Sequence, residues 1–396
     1  MRDWNPEVVE GIALDHLDPA IVDCLIASRL LGGNPYLVLF GGGNISVKND
    51  DTIWVKASGH DMGSLTPEGL APLDRVLLDE MFRQDSMTDS EMMRGYRQAL
   101  RDPDYPSPSI ETLLHNFLPQ KFVLHTHSDA IVTLTNTQRG ISLPEAALGQ
   151  NVPVLPYVFP GFPLAQFVAR TLGAQQGETS GFALSHHGLF TASDSAEQAY
   201  EQHRELVTRA ESFIASETSV VFSDDEDLVR LDETDSVVGT TRDMLEDVFG
   251  GTLHVSIWQS GSIREFLEHP RFPAISQIGP TTLEHVIRTK RVPATPETIR
   301  AFSDQYREYF TRNQARVGQQ LTMLEPVPNV YLDPAVGLVG LGRTESQAQI
   351  AAEIYRHSIN IILAAERLGG YQSIDEHTAF DIEYWELEQA RLSTKQ

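Results

Sequence analysis

Residues 121–127 read Lys-Phe-Val-Leu-His-Thr-His, and residues 182–189 read Phe-Ala-Leu-Ser-His-His-Gly-Leu. Each stretch is a short apolar run that ends in histidines, which is typical of a buried strand that delivers side chains to a site at its end. Side chains two residues apart on a strand share a face roughly 7 Å apart, so His125 and His127 can converge on one cation. Taken alone, the pair is explained slightly better as two chance surface histidines.

The second run offers a third candidate ligand. His187 lies at the end of the predicted strand and His186 points to the opposite face, so at most one of the two can join the first pair. Neutral imidazole is the commonest metal ligand. Three histidines with an open position are the donor set of a catalytic zinc site rather than of a structural one.

The residues around these runs predict alternating strands and helices. Tyr36–Phe40 has the pattern of a buried strand, and Ile45–Lys48 with Thr52–Lys56 has that of a hairpin. A long helix is predicted from Asp194 to about Ala215, where Asp194 and Glu197 form a capping-box pattern. Strands and helices mixed in this way indicate a layered α/β or α+β domain.

Glu111 falls in the first turn of a helix predicted over Ser109–Leu118. A carboxylate there interacts favourably with the helix dipole, and that alone could explain it. The functional interpretation is a general base beside a metal-bound substrate. His115, one turn further on, is interpreted as a supporting or core histidine rather than a ligand.

Two glycine-containing stretches could hold an anion. Residues 41–44 read Gly-Gly-Gly-Asn and residues 57–59 read Ala-Ser-Gly, and such segments can present backbone N–H groups in a concave nest. Glycine clusters are usually just turns, and neither stretch fits a P-loop or a dinucleotide-binding fingerprint.

Composition limits the classes of partner. The 396 residues include 30 basic and 55 acidic side chains, for a net charge of −25, which argues against nucleic acid and anionic membranes. The single cysteine, Cys24, excludes a disulfide framework. No run approaches the roughly 20 apolar residues of a membrane span, so we expect a soluble, cytoplasmic protein.

The length favours two domains, divided at the acidic stretch Ser223–Asp235, which is interpreted as a solvated loop.

The second half of the chain contains a short sequence match to the first half. Gly188-Leu189 and Gln198-Ala199 recur 149 residues later as Gly337-Leu338 and Gln347-Ala348, although chance similarity would explain the match equally well. The position that corresponds to His187 is Val336, so a repeat would lack the metal site. His285 and Lys290 could line a second pocket, but ordinary surface positions are the favoured interpretation for both.

Five motifs occur in a fixed order along the first half of the chain: Gly-Gly-Asn-x-Ser, Ser-Gly, Pro-Ser-x-Glu-x-x-x-His, His-x-His and His-His-Gly-Leu. This order resembles the class II aldolase/adducin family over about residues 20–220. The resemblance is closer to the branch in which a rhamnulose-1-phosphate aldolase precedes a short-chain dehydrogenase, and it extends to Ile287–Lys290 and to residues 383–388. Since the chain stops at Gln396, it resembles a version without the dehydrogenase module.

The resemblance implies a fold and a set of site residues. It implies an α/β fold, with a three-layer αβα catalytic domain at residues 1–222 and a smaller α/β lobe at 236–396, which could be a degenerate repeat. The implied ligands of Zn²⁺, or of another divalent metal, are His125, His127 and His187, and the implied acid/base is Glu111. The positions implied to bind substrate phosphate are Gly43, Asn44, Ser58, Gly59 and Ser109.

Two departures bear on the substrate. The aldolases carry a second serine just before the glutamate, where this chain has Ile110, so one phosphate-binding hydroxyl is missing. The tyrosine that acts across the subunit interface in the family has no clear match. The substrate is therefore expected to be a sugar or a sugar phosphate, and the resemblance implies a homo-oligomer, with a tetramer as one form.

The function expected first is a metal-dependent aldolase that cleaves the C3–C4 bond of a ketose, such as a deoxyhexulose 1-phosphate, with the metal stabilising an enediolate. A sugar-phosphate epimerase or a decarboxylase on the same metal site is the alternative, although the epimerases carry aspartate where Glu111 stands. An adducin-like scaffold without catalysis is the third hypothesis, and it is disfavoured because all three ligand positions are histidine.

Overall fold

The structure is a computed structural model that describes residues 1–173, 181–223, 225–232, 234–283, 285–318, 320–387 and 389. The chain divides into two compact units. The first comprises Met1–Thr135 and Gly140–Ser216, and the second comprises Asn136–Arg139 and Glu217–Gln396.

The first unit is built on one sheet. Its strands are β1 (Asn44–Lys48), β2 (Thr52–Lys56), β3 (Leu70–Asp74), β4 (Phe122–Thr126), β5 (Val154–Leu155), β6 (Gly181–Leu184) and β7 (Gly188–Ser193). They lie in the order β3-β2-β1-β4-β7-β6-β5, and every neighbouring pair is antiparallel except β5 with β6. The central strands β1, β4 and β7 carry the candidate site.

Helices follow or separate these strands. They are α1 (Pro19–Gly32), α2 (Arg75–Phe82), α3 (Asp89–Ala99), α4 (Thr112–Phe117), α5 (Asp129–Thr135), α6 (Ser142–Leu148), α7 (Phe162–Leu172) and α8 (Ala196–Thr218). This combination of a mixed sheet with helices confirms the predicted α/β fold class.

The predicted hairpin is confirmed as β1 and β2. The turn is fixed by Asn49, whose side-chain oxygen accepts hydrogen bonds from the backbone N–H groups of Asp51 and Thr52 at 3.0 and 2.8 Å. Asparagine favours such turns because its short amide can close a ring with the chain two or three residues on.

The strand predicted over Tyr36–Phe40 is wrong. The segment is a buried turn, in which Leu37 is 1% exposed and Phe40 adopts a positive φ of 43°. Its carbonyl groups are still used, because those of Tyr36 and Leu37 accept from the N–H groups of Asp129 and His127. An apolar run predicts burial here, but it does not distinguish a strand from a buried connection.

The long helix predicted from Asp194 is confirmed as α8, but its capping box is wrong. Asp194 instead accepts a hydrogen bond at 3.0 Å from the N–H of Lys121, at the start of β4. The helix is capped one residue later, where Ser195 Oγ accepts from the N–H of Gln198 at 3.4 Å. Both residue types can cap a helix, so the sequence alone left two registers open.

The second unit has its own sheet and two apolar clusters. Its strands are β8 (Val229–Arg230), β9 (His254–Gln259), β10 (Val330–Asp333) and β11 (Gly337–Gly342), in the order β10-β11-β9-β8. Its helices are α9 (Ser236–Phe249), α10 (Gly261–Leu267), α11 (Phe272–Ile275), α12 (Val286–Thr289), α13 (Phe302–Val317), α14 (Glu345–Arg367) and α15 (Glu376–Glu383).

The acidic stretch 223–235 is more than the solvated loop predicted. Asp224 and Glu233 lie outside the described residues. Asp227 accepts from the N–H of Gly261, the first residue of α10, at 2.8 Å, and β8 adds an edge strand to β9. The Asp227 carboxylate therefore stabilises a helix N-terminus, where the helix dipole favours negative charge.

The two units share one local arrangement. In the first, Leu184 pairs with Gly188 across the β6–β7 hairpin, and in the second, Asp333 pairs with Gly337 across β10–β11, again 149 residues on. Each glycine starts a six-residue strand that is followed by a 23-residue helix. This match supports the interpretation of a repeat.

Across the residues that the structure describes, no helix combines the length and apolar content needed to cross a membrane.

At Gly340, the backbone of β11 lies directly against the backbone of α14. A Cβ atom there would lie 2.0 Å from the carbonyl oxygen of Ala348 and 2.7 Å from the nitrogen of Ala352, both backbone atoms of α14. We expect Gly340→Ala to lower the free energy of unfolding by about 1–3 kcal/mol or more, measured as a lower urea midpoint. The matched control is Gly239→Ala on α9, where a Cβ meets nothing within 4 Å, and it should stabilise by about 0.5–1 kcal/mol. Equal midpoints for the two variants would contradict this packing.

Candidate metal and active site

Three histidines meet at one end of β4. The potential ligand atoms of His125, His127 and His187 all lie within 4.8 Å of one another, and the Nε2 atoms of His125 and His127 are 2.9 Å apart. His125 and His187 are almost fully buried, and His127 is partly exposed. The residues predicted from two separate apolar runs are thus neighbours in space.

Strand register and a stacked ring explain how His125 is oriented in this cluster. On β7 its partner is Phe190, and the two rings stack with centroids 3.8 Å apart and planes 11° apart. His125 Nδ1 lies 3.0 Å from the carbonyl oxygen of Leu189, so Nδ1 carries the hydrogen and donates it. Nε2 therefore presents its lone pair to the cluster, the arrangement in which a second partner fixes a metal-ligating imidazole.

A tight turn delivers His187. His186 adopts the left-handed region with a φ of 57°, and its N–H donates to the hydroxyl of Thr135 at 3.3 Å. His186 does not belong to the cluster, but the strand predicted to run to His187 ends at Leu184, so the turn and not strand alternation separates the two histidines. Burial lowers the pKa of His186 to about 4. The following Gly188 is required sterically, because a Cβ atom there would lie 2.1 Å from the carbonyl oxygen of Thr126.

Glu111 lies against the histidines. Its Oε2 is 3.5 Å from Nε2 of His125, and its Oε1 is 3.5 Å from Nε2 of His187. It is 5% exposed and is the residue that immediately precedes α4, at the N-terminal cap. The predicted helix start at Ser109 was therefore two to three residues too early, although the carboxylate does lie at the helix N-terminus.

Asn44 and Ser109 orient this carboxylate. Asn44 is the cross-strand partner of His125, so both side chains lie on one face of the sheet. Its amide donates to Glu111 Oε2 at 2.6 Å and to Ser109 Oγ at 3.2 Å. Ser109 Oγ also accepts from the N–H of Glu111 at 3.2 Å. Glu111 Oε1 has no hydrogen-bond partner among the described residues and lies against His187.

The glycine-containing stretches differ in what they can offer an anion. Gly43 has a φ of 59°, and a Cβ atom there would lie 2.7 Å from the carbonyl oxygen of His125, which gives it a steric role beside β4. The N–H of Ser58 already donates to Ser107 at 2.8 Å, which leaves its exposed hydroxyl as the available group. Gly59 has a φ of 79° and open space around its Cα.

The sequence prediction missed Lys56, which supports the glycine turn. This lysine is 2% exposed, and its ammonium donates to the carbonyl oxygens of Gly41 at 3.2 Å and His60 at 2.7 Å. A lysine that ends a strand usually lies on the surface, so its residue type gave no signal. Its buried position follows from the glycine turn folding over the end of β2.

His115 is a core histidine, as the sequence predicted. It is fully buried, and its Nδ1 lies 2.8 Å from Ser46 Oγ on β1. Burial, together with the nearby Lys48, lowers its pKa to about 3, so the ring is neutral at neutral pH. The buried Lys48 donates to the carbonyl oxygens of His115 and Leu118, which terminates α4.

The donor set fits a divalent metal such as zinc. Two nitrogens bound at 2.0–2.1 Å to a tetrahedral ion are about 3.3 Å apart, so the 2.9 Å between His125 and His127 requires only a small adjustment. The described part of the second unit holds no comparable group of potential ligands, and Val336 stands where His187 does in the first.

Two family models together match most of the chain. The model described as "Class II Aldolase and Adducin N-terminal domain" matches residues 23–214. The model described as "Aldolase class II, second domain" matches residues 234–392.

Individual proteins are similar over parts of their length. An "Uncharacterized oxidoreductase YuxG" of Bacillus subtilis (strain 168) is 29% identical over 95% of this chain, which spans only 59% of that protein. The N-terminal class II aldolase domain of a conserved protein from Thermoplasma acidophilum is 39% identical, with 52% of this chain and 98% of that chain covered and a TM-score of 0.47.

An L-fuculose-1-phosphate aldolase from Thermus thermophilus is 20% identical, with 49% of this chain and 95% of that chain covered and a TM-score of 0.34.

Consecutive matches to two class II aldolase models, in chain order and over most of the sequence, identify the relationship. The chain belongs to the class II aldolase and adducin family.

Proposed function

We propose that this chain is a divalent-metal-dependent aldehyde-lyase, with its catalytic domain within residues 1–222. Its reaction is the retro-aldol cleavage of the C3–C4 bond of a ketose, with a ketose 1-phosphate such as a deoxyhexulose phosphate as the first substrate to test. The observation that carries the proposal is the convergence of three imidazole nitrogens beside one buried carboxylate.

His125, His127 and His187 would hold the metal, which when bound supplies Lewis acidity to oxygen atoms of the substrate. The hydrogen bond from His125 Nδ1 to Leu189 and the stacked Phe190 ring keep one ligand fixed in orientation. Because His127 is partly exposed, the open side of the cluster is the direction from which a substrate would approach.

Glu111 would move the proton. Asn44 holds Oε2 at 2.6 Å, which leaves Oε1 to move a proton during cleavage. As the C3–C4 bond breaks, Oε1 would take up the proton that the C4 hydroxyl releases on becoming the aldehyde carbonyl, and C3 would receive a proton from Oε1. A buried carboxylate fixed in this way loses little orientation freedom when it reacts, which is the requirement for efficient general acid–base catalysis. Its position beside two ligand nitrogens brings the base next to the bound substrate.

The hydroxyls of Ser58 and Ser109 and the segment at Gly59 would orient the substrate's phosphate. These groups are neutral, so a phosphate can be held within a protein of net charge −25 without a basic patch. Ile110 supplies no hydroxyl, so the phosphate would have one side-chain donor fewer here than in the aldolases that carry a serine before the glutamate.

The metal content of the purified protein can be measured without knowing the substrate. We expect purified protein to retain about one divalent metal per chain, and His187→Asn or His125→Ala to lose it, measured by elemental analysis after dialysis. The control is His186→Asn, since asparagine tolerates a positive φ and His186 lies outside the cluster. Metal-free wild-type protein, or a His187→Asn variant with full metal content, would contradict the site.

Glu111→Gln should separate chemistry from metal binding. We expect kcat for aldehyde release to fall by about 10²–10⁴-fold, because the amide cannot transfer the proton, while metal content stays that of the wild type. The control is Glu80→Gln, an exposed residue on α2 that should leave kcat unchanged. The assay screens ketose 1-phosphates and free ketoses and identifies the products. Two fragments support an aldolase, whereas an isomer or released CO₂ would replace it with an epimerase or a decarboxylase.

Ser58→Ala tests whether the substrate is phosphorylated. Losing one hydroxyl bound to a charged oxygen should lower kcat/KM for a ketose 1-phosphate about tenfold, or about 1.4 kcal/mol. The same variant should leave kcat/KM for the unphosphorylated ketose within about twofold. The exposed Ser64→Ala is the control. An equal loss on both substrates would show that Ser58 does not contact the phosphate.

A further inference from the structure

The second unit contains a cavity that the proposed function does not use. Its volume is about 250 Å³, near the lower end of the range for small-molecule sites. Positively charged and aromatic side chains dominate its lining. They include Lys290, Arg291, Phe302, Tyr306, Tyr309 and Arg312.

Lys290 is a buried cation whose ammonium has no acceptor at hydrogen-bond distance among the described residues. It caps the C-terminal end of α12 in a left-handed conformation with a φ of 62°, and it is 7% exposed. Its ammonium makes no hydrogen bond to any described residue. The nearest carboxylate oxygen, on Glu383, is 3.8 Å away, and the ring centroid of Tyr306 is 4.1 Å away. Burial lowers the pKa of this ammonium, whereas Glu383 opposes that shift.

Glu383 is already satisfied by other donors. The hydroxyl of Tyr306 donates to its Oε1 at 2.7 Å, and the hydroxyl of Tyr309 donates to its Oε2 at 3.1 Å. A lysine whose role was only to pair with this carboxylate would be expected at normal hydrogen-bond distance. Instead, its three donors remain available beside the cavity, and a buried ammonium without close acceptors is costly.

Arg291 supplies a second available cation. The guanidinium groups of Arg291 and Arg312 each lie 5.8 Å from the ring centroid of Tyr309. Arg312 is committed to Glu376 through two hydrogen bonds of 2.6 and 2.8 Å. Arg291 makes no hydrogen bond or ion pair with any described residue. Among the lining residues, the acidic one is Glu308, whose side chain is exposed.

We propose that this Lys290 cavity binds a small organic anion, a carboxylate or a phosphate monoester, with its oxygen atoms between Lys290 and Arg291. The ring of Tyr309 and the side chain of Phe302 would contact the remainder of the ligand. The two sequence motifs that distinguish the second lobe, at residues 287–290 and 383–388, meet at this point through Lys290 and Glu383. The proposal does not depend on the function proposed for the first unit.

The test is calorimetric titration of the full chain at constant ionic strength. The probes are acetate and lactate for the carboxylates, and inorganic phosphate and glycerol phosphate for the phosphates. Arg291→Gln removes one half-buried cation, and Lys290→Met combined with Glu383→Gln removes the buried pair without leaving a charge behind. Arg307→Gln is the control, because this exposed arginine on α13 pairs with Asp304 and does not line the cavity.

We expect at least one probe to bind saturably, and the class that binds identifies the anion. Its affinity should fall at least tenfold in Arg291→Gln and in the double variant. It should stay within twofold in Arg307→Gln and in His187→Asn, which disables the first site. The absence of saturable binding by all four probes, binding that both cavity variants retain, or binding that is lost in His187→Asn would each overturn the proposal.

Discussion

The register between β1, β4 and β7 is the constraint on which the first unit depends. It sets Asn44 opposite His125 on one side and Phe190 opposite it on the other. One histidine is therefore held between a stacked ring and the amide that orients Glu111. A slip of one residue would turn His125 to the opposite face and separate the proposed metal ligands from the proposed base, Glu111.

Close backbone contact maintains that register. A Cβ atom at Gly43 would lie 2.7 Å from the carbonyl oxygen of His125, and one at Gly188 would lie 2.1 Å from that of Thr126. The second unit repeats this contact at Gly337, where a Cβ atom would lie 2.6 Å from the carbonyl oxygen of Trp258. The close contact at this glycine is thus shared by both units, whereas the residue before it is His187, a proposed metal ligand, in one unit and Val336 in the other.

Local patterns predicted the parts of the structure that depend on neighbouring residues. Alternation located the β1–β2 hairpin, and the helix pattern located α8. The strand predicted to run through His127 ends at Thr126, so the closeness of His125 and His127 is confirmed but not as two positions on one strand. The strand predicted at Tyr36–Phe40 was wrong because an apolar run reports burial, while hydrogen bonding to the distant His127 decides the conformation. The buried positions of Lys56 and Lys290 could not be predicted either, because both depend on segments that fold over them from elsewhere in their own units.

We expect His125, His127 and His187 to bind one metal ion that keeps an open position, because their ligand atoms all lie within 4.8 Å of one another. X-ray absorption at the edge of the metal that copurifies with the protein measures this coordination shell. We predict a first shell of three imidazole nitrogens at about 2.0–2.1 Å with further oxygen ligands, and loss of this signal in His187→Asn. A shell without imidazole scattering, or one that is unchanged in His187→Asn, would contradict it.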